Sequence, residues 1–148
     1  MTYEELIAET GAEIGIEGLA PDADGVCVLA SDIGEIVIMD CKGPREMVLL
    51  NAAVTDVPPD ADAALLEALK ANRGFRDTNG ATLSVDAETN RFELSQYALL
   101  EELDPDSFVA LIERFATTLV GLRGKLESAA AGEGEAGLGE TLSQLMRV

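Results

Sequence analysis

Apolar residues recur along this chain in two different periods, and the switches between them mark its elements. Tyr3, Leu6, Ile7 and Ile14 follow one another at helical intervals behind Thr2 and Glu5, which have the spacing of a capping box, so an amphipathic helix opens the chain. Gly11, Gly15 and Gly18 weaken its second half; the helix is expected to end near Gly15, with a turn across Pro21 to Gly25. The period then shortens. VCVLA, between Gly25 and Ser31, reads as a strand, Asp32-Ile33-Gly34 as a turn, and EIVIMDC, from Glu35 to Cys41, as its hairpin partner. Gly43 and Pro44 turn the chain into a third strand in which Met47, Val48, Leu49 and Leu50 are consecutive. Side chains alternate across a pleated strand, so this run places apolar groups on both faces. Three successive strands on short connections predict an antiparallel meander.

Pro58 and Pro59 stop the third strand, since neither can donate to a ladder, and Asp60 is placed to cap a short helix that runs to Asn72. Ala61, Leu65, Ala68 and Leu69 form one stripe of that helix, with Ala64 and Ala71 beside it: a small, smooth surface suited to close contact. After the polar linker RGFRDTNG, Leu83 and Val85 alternate in one strand and Phe92 and Leu94 in another, with Glu88 to Asn90 turning between them. These two strands have one apolar and one polar face, as a half-solvated sheet requires. Asp104 and Pro105 then start the longest helix, whose stripe Phe108, Leu111, Ile112, Phe115, Leu119, Leu122 and Leu126 makes it the main cover for the sheet. Gly121 and Gly124 each cost this helix about 1 kcal/mol against Ala, which suits a close approach by another element. From Ala129 the chain becomes AAAGEGEAGLGE, too small and acidic to bury much. The expected organisation is therefore one α+β domain over residues 1–128 and a flexible acidic tail over 129–148. Within that tail Leu138, Leu142, Leu145 and Met146 have the spacing of a short amphipathic segment.

Charge narrows the choice of partners. Twenty-eight acidic against ten basic residues, with no His, give a formal charge of -18, so a phosphate backbone would be repelled and nucleic-acid binding is not expected. Such a charge also keeps a protein with apolar patches dispersed. Neither a run of about 18 apolar residues nor a basic-then-apolar leader is present, so no membrane partner is expected and the chain is placed in the cytoplasm.

Little in the chain points to chemistry. Cys27 and Cys41 each fall inside an apolar strand, and without His or a third Cys a zinc site lacks ligands. The Asp/Gly clusters around Gly25 and Gly80 read as turns: aligned on an EF-hand loop, the first puts Ala20 and Ser31 at the first and last ligand positions, and the second puts Phe75 at the first. Asp86 and Glu88 flank a hairpin turn, where acidic residues are ordinary. Ser31, Ser84 and Ser95 have no neighbouring activator, and the glycines make no phosphate-cradling motif. No enzyme activity, metal or cofactor is expected. The remaining signal is the apolar excess of the meander and first helix, more than one long and two short helices can cover. An uncovered patch of that kind marks an interaction surface.

The order helix, three-strand meander, short helix, two-strand hairpin, long helix resembles that of the class I type III secretion chaperones, the CesT/Tir-chaperone family. The resemblance is carried by DADGVCVLASD, by EMVLLNAAV leading into VPPDADAALLEALKAN, by ATLSVDAETNRFELS and by LDPDSFVALIERF, and it covers residues 1 to about 127. It implies a homodimer in the bacterial cytoplasm that binds the N-terminal segment of a secreted effector in extended form. The effector would stay export-competent and be presented to the secretion ATPase. A regulatory or adaptor subunit of the same fold, binding a folded partner, is the alternative. Carried over residue by residue, the resemblance places the dimer interface at Leu65, Ala68, Leu69, Leu83 and Val85. It places the client surface at Leu6, Ile7, Val26, Val28, Ile36, Ile38 and Val48, with Cys27 and Leu29 turned into the core.

Overall fold

The computed structural model describes residues 1–132. Helix α1 spans Tyr3–Glu13 behind the expected capping box: Thr2 Oγ1 accepts from the Glu5 N–H (3.2 Å) and the Thr2 N–H donates to Glu5 Oε2 (2.7 Å). Gly11 sits where the chain turns back onto the helix, and a Cβ there would come within 2.5 Å of Leu19 Cβ and 2.7 Å of the Ile16 carbonyl. Close approach, more than helix weakening, accounts for that glycine.

Strands β1 (Val26–Ser31), β2 (Gly34–Cys41) and β3 (Met47–Asp56) form the meander, and β4 (Thr82–Asp86) and β5 (Arg91–Leu99) the later hairpin. All lie in one five-stranded antiparallel sheet of order β1-β2-β3-β5-β4. The chain leaves β3, crosses through α2 (Asp62–Asn72), lays β4 on the far edge and returns with β5 between β4 and β3. Short 3-10 turns at Arg73–Phe75 and Leu100–Glu102 complete the connections, and α3 runs over Pro105–Ala130. Asp104 caps α3 and Pro105 opens it, as the sequence predicts. Asp60 does not cap α2: the N-cap is Ala61, without a side-chain bond.

The core lies on one face of the sheet. Cys27, Ile36, Ile38, Val48, Leu50, Ala52, Leu83, Phe92 and Leu94 are buried there together with Leu6 and Ile7 of α1 and Phe108, Leu111, Phe115, Leu119 and Leu122 of α3. Helix α2 meets this core with alanines: Ala63, Ala64, Ala68 and Ala71 are buried, while Leu65 and Leu69 are 38% and 69% exposed. The close contact expected of its small residues is therefore made inside the chain, and the leucines are what it offers outward. A Cβ added at Gly121 or Gly124 would meet nothing within 4 Å, so no element of the described residues approaches these two glycines closely.

One side chain fastens α3 to the sheet. The β3–β5 register shifts between Ala53 and Thr55, a bulge that leaves backbone groups without ladder partners. Arg123 answers it: Nε donates to the Val54 carbonyl (2.7 Å), Nη2 to that of Ala53 (3.3 Å) and Nη1 to Ile33 in the β1–β2 turn (2.8 Å).

Two outcomes follow from this packing. Leu50 is fully buried in the middle of the sheet, so Leu50→Ala is expected to lower the unfolding free energy by about 2–5 kcal/mol in chemical denaturation. The Ser107 N–H bond, reinforced by the Ser107 hydroxyl, holds the Asp104 carboxyl below the usual carboxylate range. A folded value below the unfolded one stabilises fully above the ordinary aspartate range and is lost as pH falls through the folded value. Asp104→Asn is expected to flatten the acid limb of a stability-against-pH profile, and an unchanged limb would remove Asp104 as its source.

Candidate functional site

Because the helices cover one face of the sheet, every residue of opposite parity in the meander is left on the other. Paired across the strands, Val26, Met39, Leu49 and Tyr97 form one row of that open face, and Val28, Val37, Asn51, Ser95 and Thr82 the next. Val28 is 46% and Tyr97 59% exposed; Val26, Val37, Met39 and Leu49 are half-buried by their neighbours. The face is apolar toward β1 and β2 and polar toward β5. Its polar groups serve one another: the Ser95 hydroxyl donates to Asn51 Oδ1 (2.6 Å), and Asn51 Nδ2 donates to Glu93 Oε2 (3.0 Å). A cleft lined by Val37, Asn51, Ala53, Arg91, Glu93 and Arg123 continues this face around the end of α3.

The residues expected to meet a client divide sharply. Val26 and Val28 lie on the open face with Cys27 buried and Leu29 half-buried behind them, as expected. Leu6, Ile7, Ile36, Ile38 and Val48 do not: all five are at most 5% exposed, beneath the helices, and the expectation that they form a surface is corrected. The physical reason is register. Reading Asp32-Ile33-Gly34 as the turn pairs Ser31 with Glu35, but the structure pairs Ser31 with Gly34 around a two-residue loop. A slip of one residue moves a strand's side chains to the opposite face. Val37, Met39 and Leu49 therefore take the places expected of Ile36, Ile38 and Val48, and Tyr97 extends their row. The signal is present in the length of the turn.

The residues expected at a dimer interface also divide. Leu65, Leu69 and Val85 are exposed along α2 and β4, whereas Ala68 and Leu83 are buried within the chain.

The two sheet edges differ in their backbone. On β4, Asn72 at the end of α2 imitates a neighbouring strand: its Nδ2 donates to the Leu83 carbonyl (2.7 Å) and its Oδ1 accepts from the Leu83 N–H (2.8 Å). On β1, the Asp22 N–H donates to the Val26 carbonyl (2.8 Å) and Asp22 Oδ1 accepts from the Val26 N–H (2.9 Å). Val26 thus turns its backbone groups outward, and by the alternation of an antiparallel ladder so do Val28 and Ala30. For these last two the protein provides no partner beyond β1 among the described residues. Both cysteines have thiol values pushed up by burial and then by nearby carboxylates, Asp22 for Cys27 and Asp40 for Cys41, the opposite of an activated nucleophile.

The sequence profile of the Tir chaperone protein (CesT) family matches residues 5–123, from the first turn of α1 to the arginine that fastens α3. The chain belongs to this family. Family membership accounts for the element order and for the unpartnered sheet face together, and the family is one of chaperones. Comparison with curated proteins finds no significant match. Among solved structures, a chain of the ExsC–ExsE complex is similar at TM-score 0.71 and 21% identity, over 83% of this chain and 92% of that one. The Yersinia pestis type III secretion chaperone SycH, in complex with a stable fragment of YscM2, matches at TM-score 0.63 and 15% identity, over 82% and 99% of the two chains. YbjN of E. coli, a putative transcription regulator, matches at TM-score 0.51 and 13% identity over 83% and 88%. At these identities the structural likeness is one of fold. No helix of the described residues is long and apolar enough to cross a membrane.

The Asn72 clasp has a measurable consequence. Asn72→Ala leaves the N–H and C=O of Leu83 without a protein partner, at an expected cost of about 1–3 kcal/mol. Amide hydrogen exchange at Leu83 should accelerate relative to Leu94 on the interior strand.

Proposed function

We propose that this chain is a cytoplasmic secretion chaperone that holds the N-terminal segment of a type III secreted effector in extended form on the open face of its sheet. The single observation that carries this is the uncovered apolar face beside a β1 edge whose Val28 and Ala30 backbone groups are free. An extended polypeptide can pair with that edge through its own backbone while alternate side chains settle on the Val26–Met39–Leu49–Tyr97 and Val28–Val37 rows. Backbone pairing is blind to sequence, so selection of the client comes from the shape of those rows. Ordering the client costs several kcal/mol, which contact over a large area offsets. The matched complexes of ExsC with ExsE and of SycH with a YscM2 fragment support the same reading by showing this fold engaged with a second protein.

The second surface, Leu65 and Leu69 of α2 with Val85 of β4, is proposed to meet its own copy around a two-fold axis. A two-fold contact needs one patch complementary to itself, and exposed leucines beside an edge strand largely closed by Asn72 provide side-chain contact without runaway strand addition. Presentation of the held effector to the secretion ATPase belongs to the same proposal. Nothing in this activity calls for catalysis by the chain, and no cofactor takes part in it.

Solution mass tests the assembly: the 15.6 kDa chain is expected to behave as a dimer, and Leu69→Asp with Val85→Asp to make it monomeric with its helical spectrum retained. Client holding is tested by co-purifying the chain with proteins of its own source and mapping the segment protected from protease. An unfolded N-terminal segment is expected, lost on Val37→Glu with Leu49→Glu while the dimer persists. Recovery only of folded partners, indifferent to deletion of their N-terminal segments, would favour the adaptor that the likeness to YbjN brings to mind.

A further inference from the structure

The open face lies within reach of the chain's own C-terminal residues. Helix α3 ends at Ala130, and Gly132, at φ +89°, makes a left-handed turn with its N–H on the Ala129 carbonyl (3.1 Å), the geometry by which a chain leaves a helix axis. Arg123, one of the residues that line the cleft at the edge of the open face with Val37 and Asn51, stands seven residues before that end. At about 1.5 Å of rise per residue, the helix ends only about 10 Å beyond the cleft. The sequence continues through residues 133–148, beyond the described part, beginning with the glycine-spaced EGEAG. Those first residues can span up to about 17 Å, enough to return from the helix end to the cleft.

What they deliver there suits the face. Leu138, Leu142, Leu145 and Met146 recur at helical intervals, with Glu140, Ser143, Gln144 and Arg147 on the opposite side of such a period. The face carries Glu35 and Glu93 at its polar border, in a chain of net charge -18. Residues 138–148 hold one acidic and one basic side chain, so they approach that border with far less repulsion than the strongly acidic body would impose on a second copy.

We propose that residues 138–148 fold back over the open sheet face of their own chain, seating their leucines and Met146 on the Val26–Met39–Leu49–Tyr97 and Val28–Val37 rows until another polypeptide displaces them. A short tether holds such a segment at millimolar effective concentration, so modest contact keeps it in place. Any outside polypeptide then binds with an affinity reduced by the fraction of time the face is uncovered. The inference rests on the face and the tether, and not on what the client is.

Two tyrosines and no tryptophan make the test direct. Tyr3 is 3% exposed in the core, whereas Tyr97 stands on the open face at 59%. In the full chain, acrylamide is expected to quench little of the tyrosine emission and the dye ANS to bind weakly. Leu142→Glu with Leu145→Glu should make Tyr97 quenchable and raise ANS emission several-fold, with the far-ultraviolet spectrum retained, and the protection in the unsubstituted chain should be independent of protein concentration. Equal quenching and equal dye binding in the two proteins would overturn the proposal. So would protection that disappears on dilution, which would place the segment on another copy. No client enters the measurement, so failure of the effector-binding proposal would leave this result standing, and the reverse.

Discussion

A single sheet has two faces, and this chain has helices for one of them. That constraint governs the rest of the molecule. Side chains alternate along every strand, so the apolar runs of the meander cannot be hidden by packing three helices on the same side, however well that side is packed. Cys27, Ile38 and Leu50 go inward, and their immediate neighbours Val26, Met39 and Leu49 go outward because the chain leaves them nowhere else. The apolar excess is thus a property of the fold's layer count, and the acidity of the whole is what keeps such a surface dispersed.

An open face invites indiscriminate strand addition unless the edges are managed, and here they are managed unequally. Asn72 closes the middle of the β4 edge with a pair of hydrogen bonds that copies the pattern of a neighbouring strand. Asp22 does the same for the first residue of β1 and stops there, leaving the stretch at Val28 and Ala30. Association is thereby steered: side-chain contact at the α2 and β4 side, backbone pairing at the β1 side. Arg123 couples the arrangement to α3, since the same guanidinium that satisfies the bulge in β3 also holds the β1–β2 turn that begins the free edge. The helix covering the core and the strand offered to a partner are therefore fixed relative to one another by one side chain.

The expectations that needed revision share a cause. Two glycines of α3 have the look of close-approach sites and stand in open space, and the alanines of α2 have the look of an outward surface and are packed inside. In the meander, Ile36, Ile38 and Val48 lie on the face opposite to the expected one. Each depends on which side of an element points at a neighbour. In β1 and β2 both faces are apolar, so alternation gives no sign of which is inner, and one residue more or less in a turn decides it. In α2 the leucines and alanines are all acceptable in a core, and the fit of small side chains against β4 and α3 is settled only by the distance between those elements.

Local chemistry, readable residue by residue, was enough for the elements themselves: the Thr2 capping box, the double proline after β3, the Asp104-Pro105 start of α3 and the order of helices and strands, together with the family they compose. Those features depend on groups a few positions apart along the chain, whose geometry the backbone imposes wherever the segment lies. The insertion of β5 between β3 and β4, the bulge that Arg123 serves, the clasp of Asn72 on Leu83 and the identity of the open row were decided by tertiary structure. Each of these joins residues far apart in sequence, and which pairs meet is fixed by the whole set of packing contacts at once.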